Sequence, residues 1–192
     1  MQLAVSLSGG SSSLWTPYAG IWNASDAASG AVVATGGFQL TSSSTGVGGA
    51  RGTVALSGKV YWSVMLVTNP SSSACIGIAN TSMNISANTP NDSSNGWGYY
   101  SNNGHKLNIT DAAYGNSYTI GDLITIAVDV PAAKIWFAKN GVWQNSGNPL
   151  TAANPAFTNL TGTLYPWAGD VSSTVISKYT ISPPGQTAVG LL

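Results

Sequence analysis

Glutamate is absent from this chain of 192 residues, and charge of either sign is scarce. Six aspartates balance six lysines and arginines, so charged residues make up only 6% and the formal net charge is zero. An average domain carries about 25%. With no basic run and no net positive charge, the sequence argues against nucleic-acid binding, because phosphate attraction dominates that affinity. A surface this poor in charge is built from Ser, Thr, Asn and Gly. A small free domain near zero net charge is prone to association, whereas a subunit of a larger assembly needs no charge to stay apart. The composition therefore favours an assembled setting such as a virion, with a secreted low-charge β domain as the alternative.

Cysteine and histidine occur once each. Cys75 alone allows no internal disulfide and no cysteine zinc cluster. It lies in the apolar run Ala74-Cys75-Ile76-Gly77-Ile78 and reads as a core thiol. No acid-rich calcium loop and no histidine pair is present, so neither a metal nor any other cofactor is expected. No stretch reaches the roughly 18 apolar residues of a membrane span. The first ten residues lack the basic start and long apolar run of a signal peptide. Synthesis in a host cytoplasm is the expectation.

A sustained 3.6-residue apolar period is also missing, which predicts almost no helix. Short β-rich runs separated by Gly, Asn, Ser and Pro clusters take its place, the pattern of a sandwich or barrel. Residues 1–13 form an arm, with Leu3, Val5 and Leu7 alternating before a Gly/Ser hinge. Residues 14–184 form one domain, and 185–192 an apolar tail ending in Leu191-Leu192. Gly37 to Leu40 reads as a short strand, and Gly52 to Leu56 as a strand in a hairpin with Lys59 to Val67. Ala74 to Ala79 reads as a buried strand. Residues 80–95 form a long polar loop, of the kind that is usually functional or mobile. Gly96 to Tyr100 is followed by the turn 101–104. Leu123 to Asp129 alternates with Ile124, Ile126 and Val128 on one face. Lys139-Asn140-Gly141 is a tight turn. Leu164 to Ala168 and Thr174 to Tyr179 close the domain.

The run from Gly121 to Trp143 resembles the central hairpin of the SPRY family: Gly121-Asp122, an alternating strand ending in Asp129, then Lys134-Ile135-Trp136-Phe137-Ala138 and Lys139-Asn140-Gly141-Val142-Trp143. Arg51-Gly52-Thr53, Lys59 to Val64, Gly77-Ile78-Ala79 and Asn95 to Tyr99 follow the family order, although Ser63 stands where the family often has Glu. Asn154-Pro155-Ala156-Phe157 and Leu164-Tyr165-Pro166 resemble the bacteriophage-borne subset. The resemblance covers about residues 14–184. It implies an all-β, bent sandwich of two antiparallel sheets, concanavalin- or jelly-roll-like, with a non-catalytic role and ligands held by loops at one end.

Catalysis is not expected from the residues themselves. A Ser-His-Asp hydrolase would need His105 as base, and Asp111 follows nearby, but no serine lies in a nucleophile elbow. Asp122 and Asp129 read as turn and strand-end residues rather than as a glycosidase pair. Binding residues are expected in the polar loops: Asn88, Asn91, Asp92, Asn95, Asn102, His105, Trp143 and Gln144. The function expected is that of a phage virion protein, attached to capsid, tail or fibre and forming a possible homo-oligomer. Leu3, Val5, Leu7, Leu191 and Leu192 would anchor it to other virion proteins by adding to a neighbour's sheet edge, or would pack on their own sandwich. Host receptor or glycan recognition is the alternative, since Trp and Tyr stack on sugars and seven Trp are present. Against this, Trp62, Trp136 and Trp143 match framework positions of the resembled family, where they read more readily as core, and Trp97 reads as core as well. An intracellular peptide-binding adaptor is the third possibility.

Overall fold

The computed structural model of the chain describes residues 14–42, 48–68, 73–87, 89–171 and 177–182. Within them fifteen strands form two sheets, and the sole helical element is a 3₁₀ turn at Gln144–Ser146. In chain order the strands begin with β1 (Thr16–Pro17), β2 (Trp22–Ala27), β3 (Val32–Val33), β4 (Gln39–Thr41) and β5 (Gly48–Gly52). Next come β6 (Lys59–Thr68), β7 (Ala74–Asn80), β8 (Gly96–Tyr100), β9 (Lys106–Asn108) and β10 (Thr110–Ala112). The last five are β11 (Leu123–Asp129), β12 (Lys134–Lys139), β13 (Val142–Trp143), β14 (Leu164–Asp170) and β15 (Lys178–Ile181).

One sheet runs β13-β12-β11-β6-β15-β4-β3, with β1 laid parallel against β6; the other runs β10-β9-β8-β7-β14-β5-β2. Every pairing except β1 with β6 is antiparallel, so the expected two-sheet sandwich is what the chain forms.

The core lies between the sheets, and strand alternation places it there. Ile124, Ile126 and Val128 of β11 face inward beside Val64, Trp62 and Val60 of β6, their register partners. Ile76, Ile78, Trp97 and Tyr99 come from the opposite sheet. Tyr99 stacks on Phe137 at 5.4 Å, and Tyr114 and Tyr118 complete an aromatic cluster around it. The β12–β13 turn is tight because Asn140 (φ 48°) and Gly141 (φ 83°) both take the left-handed backbone that Asn and Gly tolerate. Asp122 and Asp129 do serve local backbone, accepting from the N–H of Thr119 and Ala132 at 2.8 and 3.0 Å.

The expected hairpin between Gly52–Leu56 and the strand from Lys59 does not form. β5 ends at Gly52 in one sheet, and β6 begins at Lys59 in the other. Between them the chain crosses the sandwich, tied by Leu56 N–H to the Leu164 carbonyl and by Val130 N–H to the Gly58 carbonyl. A short polar connection fits a crossing as well as a hairpin, and only partner packing separates the two. The strand expected from Gly37 sits instead at Gln39–Thr41. The closing strand is described at Lys178–Ile181; residues 174–176 lie outside the described residues.

Candidate functional site

The second sheet is covered on its outer face too, over a central patch. On its outer face Cys75, Ala79, Leu107 and Trp167 pack with Met83 and Ile85 of the 81–95 loop. The loop can lie this close because β8 places Gly96 and Gly98 beneath it. A Cβ on Gly96 would fall 2.6 Å from Met83 Sδ, and one on Gly98 3.1 Å from Pro90 Cγ and 2.3 Å from Cys75 Sγ.

Beside this packed patch the loop leaves a cleft of about 280 Å³. Thr89, Asn91 and Asp92 form one wall; Tyr100, Leu107 and Asp111 come from β8, β9 and β10; Val171 closes the end. Strand register puts the side chains on one face, since Leu107 pairs with Asp111 and Tyr100 with Cys75. Leu107 is buried at the base, Tyr100 and Val171 are half-buried, and Asn91, Asp92 and Asp111 are exposed.

The wall is held by its own turn. Asp92 Oδ2 accepts from Thr89 Oγ1 at 2.8 Å and from Thr89 N–H at 3.2 Å. Ile109 N–H donates to the Pro90 carbonyl at 2.9 Å, tying the loop to the β9–β10 turn. Ile109 itself is exposed and sits at φ 59°, a backbone region that disfavours β-branched residues. His105 Nδ1 bonds Asp111 Oδ1 at the rim. Burial pushes the Tyr100 hydroxyl up from its ordinary pKa, and the Cys75, Asp111 and Asp170 side chains add to this against a hydrogen bond with Asn102.

Four of the residues expected to bind therefore gather here. Asn91 and Asp92 line the cleft, His105 reaches it through Asp111, and Asn102 through Tyr100. The others do not. Asn95 is half-buried and clasps Asn80, its Oδ1 accepting from Asn80 Nδ2 at 3.0 Å. Gln144 is buried: its Oε1 accepts from Asn116 N–H at 2.9 Å, and its Nε2 donates to the Val142 carbonyl at 2.8 Å. It braces the interior instead of facing a ligand. Trp143 is half-buried at the far edge of the other sheet. Asn88, Leu3, Val5, Leu7, Leu191 and Leu192 lie outside the described residues. Sequence reasoning missed Tyr100, Leu107 and Val171, and considered Asp111 only as a partner of His105. Only the fold brings these distant segments together.

A family model for the SPRY domain matches residues 59–176. The chain belongs to the SPRY family. The SPRY domain of human HERC1 superposes with a TM-score of 0.71 at 22% identity, over 86% of this chain and 99% of that one. The stonustoxin structure superposes with a TM-score of 0.65 at 13% identity, over 87% of this chain but only 27% of its own. At such identities the likeness is one of fold. No curated protein matches the sequence. SPRY domains are protein-binding modules and are generally non-catalytic. Where the family often carries Glu, the Ser63 hydroxyl here bonds that of buried Thr125 at 2.8 Å, an uncharged link between β6 and β11.

Proposed function

We propose that this SPRY domain is a non-enzymatic component of a bacteriophage virion, which binds a protein partner on capsid, tail or fibre through the cleft beside the 89–92 turn. The observation that carries the binding surface is the convergence of Asn91, Asp92, Tyr100 and Asp111 on one open cleft with an apolar base. The virion setting rests on a 6% charged composition with zero net charge. An intracellular adaptor role would use the same surface, and the family likeness favours neither setting.

Glycan recognition draws less support. Trp22, Trp62, Trp97, Trp136 and Trp167 are all buried, and Trp15 and Trp143 are half-buried, so few indole faces are free to stack on sugars.

The test is mass spectrometry of particles purified from cultures that make the protein. Fixed stoichiometry in particles, lost on Tyr100→Ala, supports the proposal. Recovery only in the particle-free fraction, bound to a host protein, replaces the virion by the adaptor reading.

A further inference from the structure

The six aspartates of this chain divide unevenly. Asp26 pairs with Arg51, Asp129 with Lys59 and Asp122 with Lys139. Asp170 is buried among the hydroxyls of Ser42, Ser73 and Tyr179. The two that remain, Asp92 and Asp111, line the same cleft, and neither has a lysine or arginine partner. All six cations of the chain are among the described residues, and none forms an ion pair with Asp92 or Asp111; Lys106, nearest in sequence, points to the opposite face and donates to the Ala156 carbonyl at 2.7 Å. Asp111 is met by His105 Nδ1 alone among the basic side chains, so in a chain this poor in charge two carboxylates without a lysine or arginine partner share one concavity and favour a cation there. Tyr100 adds a ring face, and Leu107 and Val171 add an apolar base. A long aliphatic stem ending in a cation matches all three features: the stem packs on the base, the head meets the carboxylates, and the ring face attracts positive charge.

We infer that the cleft receives a lysine or arginine side chain of the partner protein, with Asp111 and Asp92 meeting its charge and Tyr100, Leu107 and Val171 its stem. This rests on the protein-binding reading of the same surface and adds the chemistry of what enters. Charge complementarity of this kind sets specificity more than raw affinity.

The test titrates the isotope-labelled full chain with acetyl-Gly-Lys-Gly-amide and with its norleucine counterpart, which keeps the stem and lacks the charge. The expected result is saturable movement of the Tyr100, Leu107 and Val171 resonances with the lysine peptide, at least about tenfold weaker with norleucine, a difference of roughly 1.4 kcal/mol. Asp111→Asn removes that preference. His105→Asn, which breaks the same His–Asp contact but keeps the carboxylate, retains it. Equal response to both peptides leaves a protein-binding cleft and overturns its choice of a cation. Loss on His105→Asn equal to that on Asp111→Asn also overturns it, since hairpin geometry would then explain both. Silence from both peptides overturns the inference, while the Tyr100→Ala particle experiment judges the binding surface separately.

Discussion

Arg51 Nη1 holds both carboxylate oxygens of Asp26, at 2.9 and 3.1 Å, from beneath the loop that walls the cleft. The same guanidinium donates to the Asn80 carbonyl through Nε at 3.1 Å and Nη2 at 2.7 Å, and to the Met83 carbonyl. Arg51 is buried, so those carbonyls have no ready access to water. One side chain thus pins β2 and the start of the 81–95 loop to the sheet.

Replacing it should free the loop. Arg51→Met is expected to cost about 3 kcal/mol, because it leaves buried acceptors and Asp26 without their partner. Asp26→Asn, at a carboxylate 39% exposed, should cost about 1 kcal/mol or less. Cys75 reports the opening directly. Its thiol is fully buried beside Met83 and Ile85, and burial, reinforced by Asp170, pushes its pKa far up. Native protein should resist a thiol-specific reagent, and Arg51→Met should label faster in native buffer. Equal labelling rates would show that Arg51 does not hold the loop.

Ile109 invites the opposite experiment. An exposed β-branched residue at φ 59° carries strain, and Asn tolerates that backbone better. Ile109→Asn should raise stability by about 1 kcal/mol in urea unfolding. A decrease would mean that the Ile109 side chain packs usefully where it stands. If partner binding falls while stability rises, the strain is retained for the surface.

How far the sequence foretold this depends on the range of the interaction. Ile124, Ile126 and Val128 announced a core face because alternation is written into seven consecutive residues of β11. Asn140-Gly141 announced its turn because the backbone need is local. The destination of β5 was not legible, since nothing near Gly52 encodes which sheet it joins. Gly96 and Gly98 carried a signal that was readable but unread: glycines in a strand often mark a close approach by another backbone, here that of Pro90. The cleft was half legible. Polar loops pointed to Asn91, Asp92 and His105, while Tyr100, Leu107 and Val171 join them only through register and loop packing.

Acid should loosen the β11–β12 end through Asp122. Burial works to raise the Asp122 pKa from 3.8, but the Thr119 N–H, the Asn140 amide and the Lys139 ammonium outweigh it and leave the group lowered. A folded value below the unfolded one means that the stabilisation is complete above the unfolded pKa and disappears as pH falls through the folded one. Asp122→Asn should therefore be less stable than the native chain near neutrality, with the gap closing in acid. Denaturant melts of both proteins from neutral to strongly acidic pH would measure it. A gap that stays constant would remove Asp122 as its source.

Alkali should act on the interior, through tyrosine. Burial pushes Tyr114 up to about 12, against a lowering hydrogen bond with the Phe137 backbone. Burial also raises Tyr99, Tyr118 and Tyr179, with further contributions from neighbouring ionisable groups. Here the folded state favours the neutral phenol. The resulting stabilisation is whole below the unfolded value of about 10 and is lost as pH rises through the raised folded values. These rings form much of the contact between the sheets, where Tyr99 stacks on Phe137 and Tyr118 donates to the Tyr99 and Ala74 carbonyls at 2.7 and 3.2 Å. They should therefore ionise together, as the sandwich opens. Near-ultraviolet absorbance should show only part of the eight tyrosines titrating near pH 10, then a cooperative step coinciding with loss of the β-sheet circular dichroism signal. If all eight titrated smoothly near pH 10 with the sheets intact, this account of the core would fail.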